Sequence, residues 1–200
     1  TENDLLVELP MRPGDFLVEN MVLAKTYSKG SIDSELEKRF PDAFILGKVR
    51  TPQQDAEFAI HQMVEIASRA LSPGVNDPYT AIACIDNLTA VMTHLSGVKF
   101  PSKYRFDQAN VLRVISKPLT YEGMLNASFN QIRQFASDSP SVLIKLIEAL
   151  KIIHHQSQSS TQKFVVQRHA GMVYRAAKKN INEGEDFKDF EKRCEWMNTV

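Results

Sequence analysis

The sequence predicts an α+β fold, a small amino-terminal antiparallel β unit packed on a bundle of about five or six α-helices. Three observations lead there. Residues 1–50 carry short apolar runs broken by Pro, Gly, Asn and Asp, the composition of strands and turns. From about Pro52 onward apolar residues recur at helical spacing. Capping residues, prolines and glycines also stand where those helical stretches begin and end. Residues 1–50 thus read as a β-rich unit and 51–200 as a mainly helical one, together forming one compact domain.

In the first unit, Leu5-Leu6-Val7, Phe16-Leu17-Val18 and Val22-Leu23-Ala24 are the strand candidates, with Pro13-Gly14-Asp15 and Glu19-Asn20 turning the chain between them. Ser34 and Glu37 have the spacing of a capping box and open a short helix to Arg39. Pro41 ends it, and Phe44 to Val49 returns to strand composition. The next helix, from Pro52, has an apolar face of Phe58, Ile60, Val64, Ala67, Ala70 and Leu71, and Pro73-Gly74 supplies its stop. Asp77 as N-cap and Pro78 at the first helical position start another, running to Ser96, where Gly97 is suited to a left-handed terminus. Val98 to Lys117 reads as irregular chain with one strand, Val111 to Ile115, able to return to the amino-terminal sheet. Helices are then expected over Thr120–Ser137, over Pro140–Gln156 capped by Ser139, and over Ser160–Asn182 with Ser159 and Gln162 at capping-box spacing. A short one closes the chain over Glu185–Trp196.

Composition narrows the function classes. Apolar residues make up 43% of the chain, enough for a real core, and Lys plus Arg balances Asp plus Glu at 24 each. No global field steers the chain to nucleic acid, and aromatic residues do not interleave with basic ones as a nucleic-acid surface requires. Cys84 and Cys194 stand far apart and belong to no CxxC pair, which excludes a disulfide framework and a cysteine-built zinc site. Cys84 reads as a buried apolar residue, not a nucleophile. The most apolar stretch, Val142 to Ile153, is interrupted by Lys145, Glu148 and Lys151, so it does not cross a bilayer. The chain opens at Thr1 with neither methionine nor signal-peptide pattern, as expected of a fragment excised from a larger protein.

Several segments carry a resemblance. Arg12-Pro-Gly-Asp-Phe-Leu17, Arg50-Thr51, Gln54-Asp-Ala-Glu-Phe58, Gln62-Met-Val-Glu-Ile-Ala67 and the unbroken Arg69-Ala-Leu-Ser-Pro-Gly-Val-Asn-Asp-Pro-Tyr-Thr80 resemble the signature of the family called domain of unknown function 2254. The resemblance extends over roughly the first ninety residues, and the carboxy-terminal half carries no matching motif. Two positions depart from the pattern: Ala59 replaces a glycine-like residue, and His61 stands where a basic residue is frequent. Members of that family have several transmembrane helices ahead of this region. The resemblance therefore implies a parent chain that continues upstream of residue 1 into an inner or plasma membrane, with the present part soluble and on the cytoplasmic side. It implies no activity and no cofactor.

Candidate site residues fall into three groups. Glu57, His61, Glu65 and Arg69 follow one another at i, i+4 and form a polar helical stripe, either a salt-bridged face or part of a ligand site. His61 and Glu65 offer two metal ligands where a closed site needs four and a catalytic one three, so no metal is assigned. The break Ser72 to Pro78 sets helix-terminal amides beside Asn76, Asp77, Thr80 and Arg69. Its plain reading is a rigid helix connection, and its sharper one a ligand or partner site built from Asp55, His61, Arg69, Ser72, Asn76, Asp77 and Thr80. Asp55, Asp77 and Asp86 could pair as carboxylates if their helices pack antiparallel, but no nucleophile motif accompanies them. Third, Arg168, Arg175, Lys178 and Lys179 share a broad helical face, with no acid between Lys163 and Asn182. That face is either solvated or suited to anionic lipid headgroups, acidic chains or phosphates. His154-His155 at a helix end would answer its dipole when protonated.

The expected role is that of an extramembrane domain for assembly, ligand sensing or regulation of the membrane part, with its own transmembrane region or a second copy as partner. A membrane-surface enzyme using Arg69 to Thr80 and a transporter or channel accessory domain are the alternatives. A pocket converging Asp55, Arg69, Asn76 and Asp77 would favour chemistry, and a broad apolar face would favour scaffolding.

Overall fold

The computed structural model describes residues 4–53, 55–136 and 138–198. Gln54 of the family-like segment and Ser137, the expected end of one helix, lie outside the described residues. The chain forms two compact units, one from residues 1–58 and 100–119, the other from 59–99 and 120–200.

The first unit contains a four-stranded sheet in the order β2-β1-β4-β3, with β1 at Leu6–Leu9, β2 at Lys25–Tyr27, β3 at Tyr104–Phe106 and β4 at Leu112–Ser116. The sheet is mixed, not antiparallel as expected. β1 runs antiparallel to β2 (Val7 opposite Thr26) but parallel to β4 (Val7 opposite Val114), while β3 and β4 are antiparallel. The parallel pair arises because β4 returns to the sheet from far along the chain, as a parallel neighbour must. That return was expected; β3 was not. Phe16-Leu17-Val18 and Val22-Leu23-Ala24 form no strands. Both places beside β1 are taken by β2 and β4, and a tight turn at Asn20 (φ 70°), closed by Met21 N–H donating to Val18 O at 3.2 Å, separates the two runs. Phe44 to Val49 is likewise loop, following a 3-10 turn at Pro41–Ala43. Helix α1, Ser34–Arg39, is capped by Asp33 one residue ahead of the expected Ser34, the Asp33 carboxylate accepting from Glu35 N–H.

Helix α2, Ala56–Ala70, begins in the first unit and presents Ile60, Val64, Ala67 and Ala70 as its buried face. The second unit continues with α3 (Pro78–Ser96), α4 (Tyr121–Phe135), α5 (Pro140–Gln156), α6 (Ser160–Asn180) and α7 (Gly184–Cys194), followed by a 3-10 turn at Glu195–Asn198. α5 lies at the centre, packed against α3, α6 and α7, and buries Val142, Leu143, Leu146, Ile147, Leu150 and Ile153. Its charges leave this apolar stripe at the edges: Lys145 pairs with Asp86 of α3 at 2.5 Å and Glu148 with Arg193 of α7 at 2.8 Å.

Local chemistry explains the boundaries. Thr120 caps α4 by accepting from Gly123 N–H, and Ser159 with Gln162 closes a reciprocal capping box on α6. Ser139 occupies the N-cap of α5, but its hydroxyl lies beside Ser141 Oγ and bonds no helix amide. Gly97 ends α3 at φ −89°, on the right-handed side, because its N–H reaches back to His94 and Leu95 carbonyls without a left-handed residue.

Candidate functional site

Two segments of the family-like signature, separate in sequence, are joined by charge. The Arg12 guanidinium pairs with the Glu57 carboxylate through Nη2, and Arg50 donates through Nε and Nη2 to Asp55 Oδ2, each at 2.6 Å. Asp55 also accepts the Glu57 N–H at 3.2 Å on Oδ1, so both its oxygens are engaged at the first turn of α2. Two carboxylates there meet the positive end of the helix dipole. The neighbouring Asp55 carboxylate pushes the Arg50 guanidinium further up, chiefly through their hydrogen bond.

The turn at Pro13-Gly14 is shaped to this cluster. Gly14 takes φ +88°, and a Cβ there would stand 2.7 Å from Asp55 Cγ and 3.1 Å from Arg50 Nε. Only glycine combines that backbone with that approach. Asp15 extends the network, accepting from Arg12 N–H at 3.2 Å and lying 3.4 Å from Lys117 Nζ. A cleft of about 210 Å³ opens beside it, lined by Leu9, Met11, Arg12, Asp55, Arg105 and Lys117 among others. Arg12, Asp55 and Lys117 each have an ion-pair partner, so the cleft holds fixed charges but no uncommitted carboxylate to serve as a base.

The helix break is satisfied within itself. Beyond the Pro73-Gly74 stop, Asn76 takes a left-handed conformation (φ 48°), and its N–H donates to Ser72 O at 2.9 Å. Asp77 N–H donates to Ala70 O at 2.8 Å, closing α2, and the Asp77 carboxylate accepts from Thr80 N–H at 3.1 Å and Thr80 Oγ1 at 2.5 Å, opening α3. Those bonds hold the Asp77 carboxyl below the usual carboxylate range. Ser72 Oγ donates to Arg69 O at 2.6 Å.

The polar stripe on α2 separates into pairs: Glu57 is buried with Arg12, His61 is exposed, and Glu65 pairs with Arg69. Asp55 directly precedes the first turn of α2, and Arg69 lies in its last turn. Asp86 is engaged by Lys145. Among the described residues no group of three or more His, Cys, Asp or Glu is placed to hold a metal. Cys84 is buried, which pushes its thiol up. His154 is buried, with Trp196 at a ring separation of 5.1 Å, and that burial lowers its pKa; His155 is exposed.

The basic face of α6 also divides. Arg168 pairs with Glu122 of α4 at 2.6 Å, whereas Arg175 and Lys179 line a groove of about 460 Å³ with Arg133 of α4; Lys178 is exposed outside it. Sequence reasoning missed Arg12, Arg50 and Arg133 as members of clusters. The first two sat inside the family-like segments, and an arginine one turn after buried Phe129 on α4 marks the third as flanking a packed face.

Comparison with known proteins agrees with the motif reading and lengthens it. A family described as predicted membrane protein, DUF2254, matches residues 1–152, beyond the ninety residues carrying recognisable motifs. An uncharacterised protein of Mycobacterium bovis is 32% identical over 177 residues, covering 86% of this chain and 34% of its own length. Uncharacterised proteins from two Mycobacterium tuberculosis strains match at the same identity and coverage. The chain thus spans about a third of the length of these curated relatives. No solved structure matches. Among the described residues no helix is long and apolar enough to cross a membrane. With its signature segments locked together at the start of α2, this chain belongs to the DUF2254 family of predicted membrane proteins.

Proposed function

We propose that this chain is an extramembrane domain of its membrane protein, used for assembly, and that its first unit provides the docking surface. The observation that carries this reading is the placement of apolar residues beside the ionic cluster. Phe16, next to Asp15, is 81% exposed, and Ile45 and Val49, just ahead of Arg50, are 91% and 77% exposed. Large apolar side chains held in water beside a fixed frame are characteristic of contact surfaces. The frame comes from Arg12–Glu57 and Arg50–Asp55, which tie both loops to the start of α2. The partner is the membrane-embedded part of the same protein or a second copy.

A catalytic role for the same residues has less support, since Asp55 and Asp77 already use both oxygens in local bonds. The test is a photo-crosslinking amino acid placed at Ile45 in the membrane-bound full-length protein, with Lys188 as an exposed polar control position. Crosslinks to membrane segments or to a second copy from position 45, absent from 188, are expected. Equal yields at the two positions would remove the proposal.

A further inference from the structure

We propose that the groove between the last turns of α4 and α6 is a binding site for a phosphate-type oxyanion, either a phospholipid headgroup or a soluble phosphate ester. Arg133, Arg175 and Lys179 converge on it, and no acidic residue lines its approximately 460 Å³. Arg175 and Lys179 are i, i+4 on α6 and so lie one above the other on a single face. Arg175 crosses the helix at Gly171, its Nη1 3.4 Å from where a Cβ would stand. Met172 and Ala176 give the groove an apolar wall, and Asn180 closes one end.

Cations in a last helical turn also offset the helix dipole, and that alone would account for Lys178 and Lys179. It leaves two features unexplained. The other arginines of this unit outside the groove are matched: Arg69 by Glu65, Arg168 by Glu122, and Arg193 by Glu148 and Asp189. Among the described residues, Arg175 has no such partner. Second, Arg133 Nε is buried without an acceptor, a costly state for a charged donor. An oxyanion in the groove would accept from it while bridging Arg175 and Lys179, and guanidinium groups suit phosphate geometry. The groove's charge stands independently of the docking surface of the first unit.

Pyrophosphate titrated calorimetrically into the 200-residue chain, and co-sedimentation with phosphatidylcholine vesicles with and without phosphatidic acid, form the two arms of the test. Saturable pyrophosphate binding at one site without vesicle binding indicates a soluble phosphate ester. Binding only to phosphatidic acid vesicles indicates a headgroup, and binding in both arms indicates recognition of the phosphate itself. In each case Arg175→Gln and Lys179→Gln, surface changes that spare the fold, should each weaken binding by about tenfold or more. Lys188→Gln on α7 should leave it unchanged. No saturable binding in either arm, or binding indifferent to the α6 substitutions, would overturn the proposal.

Discussion

The two units of this chain are stabilised by different means. In the helical unit the core is apolar: Phe129, Ile132, Leu143, Leu146, Ile147, Leu150 and Phe190 are essentially inaccessible to water, and the charges of α5 nearest it, Lys145 and Glu148, pair with Asp86 and Arg193 at the helix edges. In the β-containing unit the only buried side chains among the described residues are Asp55 and Glu57, while Phe16, Ile45, Leu46 and Val49 are exposed. Apolar burial tolerates many arrangements of similar volume, whereas a buried carboxylate needs its particular cation in place. The second unit is therefore built for stability. The first holds a specific loop geometry and keeps its apolar side chains available.

Substitutions should separate these two modes by size and by location. The largest effect is expected from Leu146→Ala, a fully buried leucine on α5, the helix packed against three others; a loss of roughly 2 to 5 kcal/mol should appear in urea unfolding. Next is a pH effect inside the same unit. Burial, with Arg168 and Arg133 nearby, lowers the His169 pKa from 6.5 to about 4. The unfolded chain then takes up the proton first, so stability is full above the unfolded pKa and falls as pH drops from 6.5 toward about 4. The loss is at most about 3 kcal/mol, and His169→Gln, which can still donate to Asn126 Oδ1, should flatten that part of the urea-midpoint profile.

Smaller effects belong to the first unit. Gly14→Ala must leave φ +88° and displace Asp55 from Arg50, costing more than about 1 kcal/mol. Limited proteolysis should then cut within residues 10–18 or 45–53 and spare α5. Ile45→Ser should change stability by less than about 0.5 kcal/mol, since the side chain is already in water, yet reduce crosslinking from a reporter at Val49 in the full-length protein. A large stability loss from Ile45→Ser would show that this side chain supports the fold and would erase the contrast.

Much of the helical unit was legible from local chemistry. Asp77-Pro78, Thr120 and Ser159 with Gln162 each signal a helix start through bonds within one turn, Pro140 does so through its fixed φ, and the observed helices begin there. The sheet was less legible because pairing depends on distant partners. Phe16-Leu17-Val18 has strand composition but no free edge beside β1, and Leu6–Leu9 is joined by a segment more than a hundred residues away. The candidate site shows the same limit. Asp55 and Asp77 could be singled out as carboxylates in special positions, but Arg50 reaches Asp55 only when the 44–53 loop folds back, and Arg12 reaches Glu57 across 45 positions. The basic face of α6 was visible on one helix, whereas the pairing of Arg168 and the addition of Arg133 required α4 beside it.

The claim that the first unit is organised by its buried carboxylates and their arginines is tested most directly by hydrogen exchange of Glu57→Gln beside the unchanged chain. The substitution keeps the shape of the side chain and removes the charge facing Arg12. Faster exchange confined to residues 10–18 and the first turn of α2, with α5 and α6 as protected as before, is the predicted result. Unchanged protection around Arg12, or loss of protection centred on α5, would contradict it.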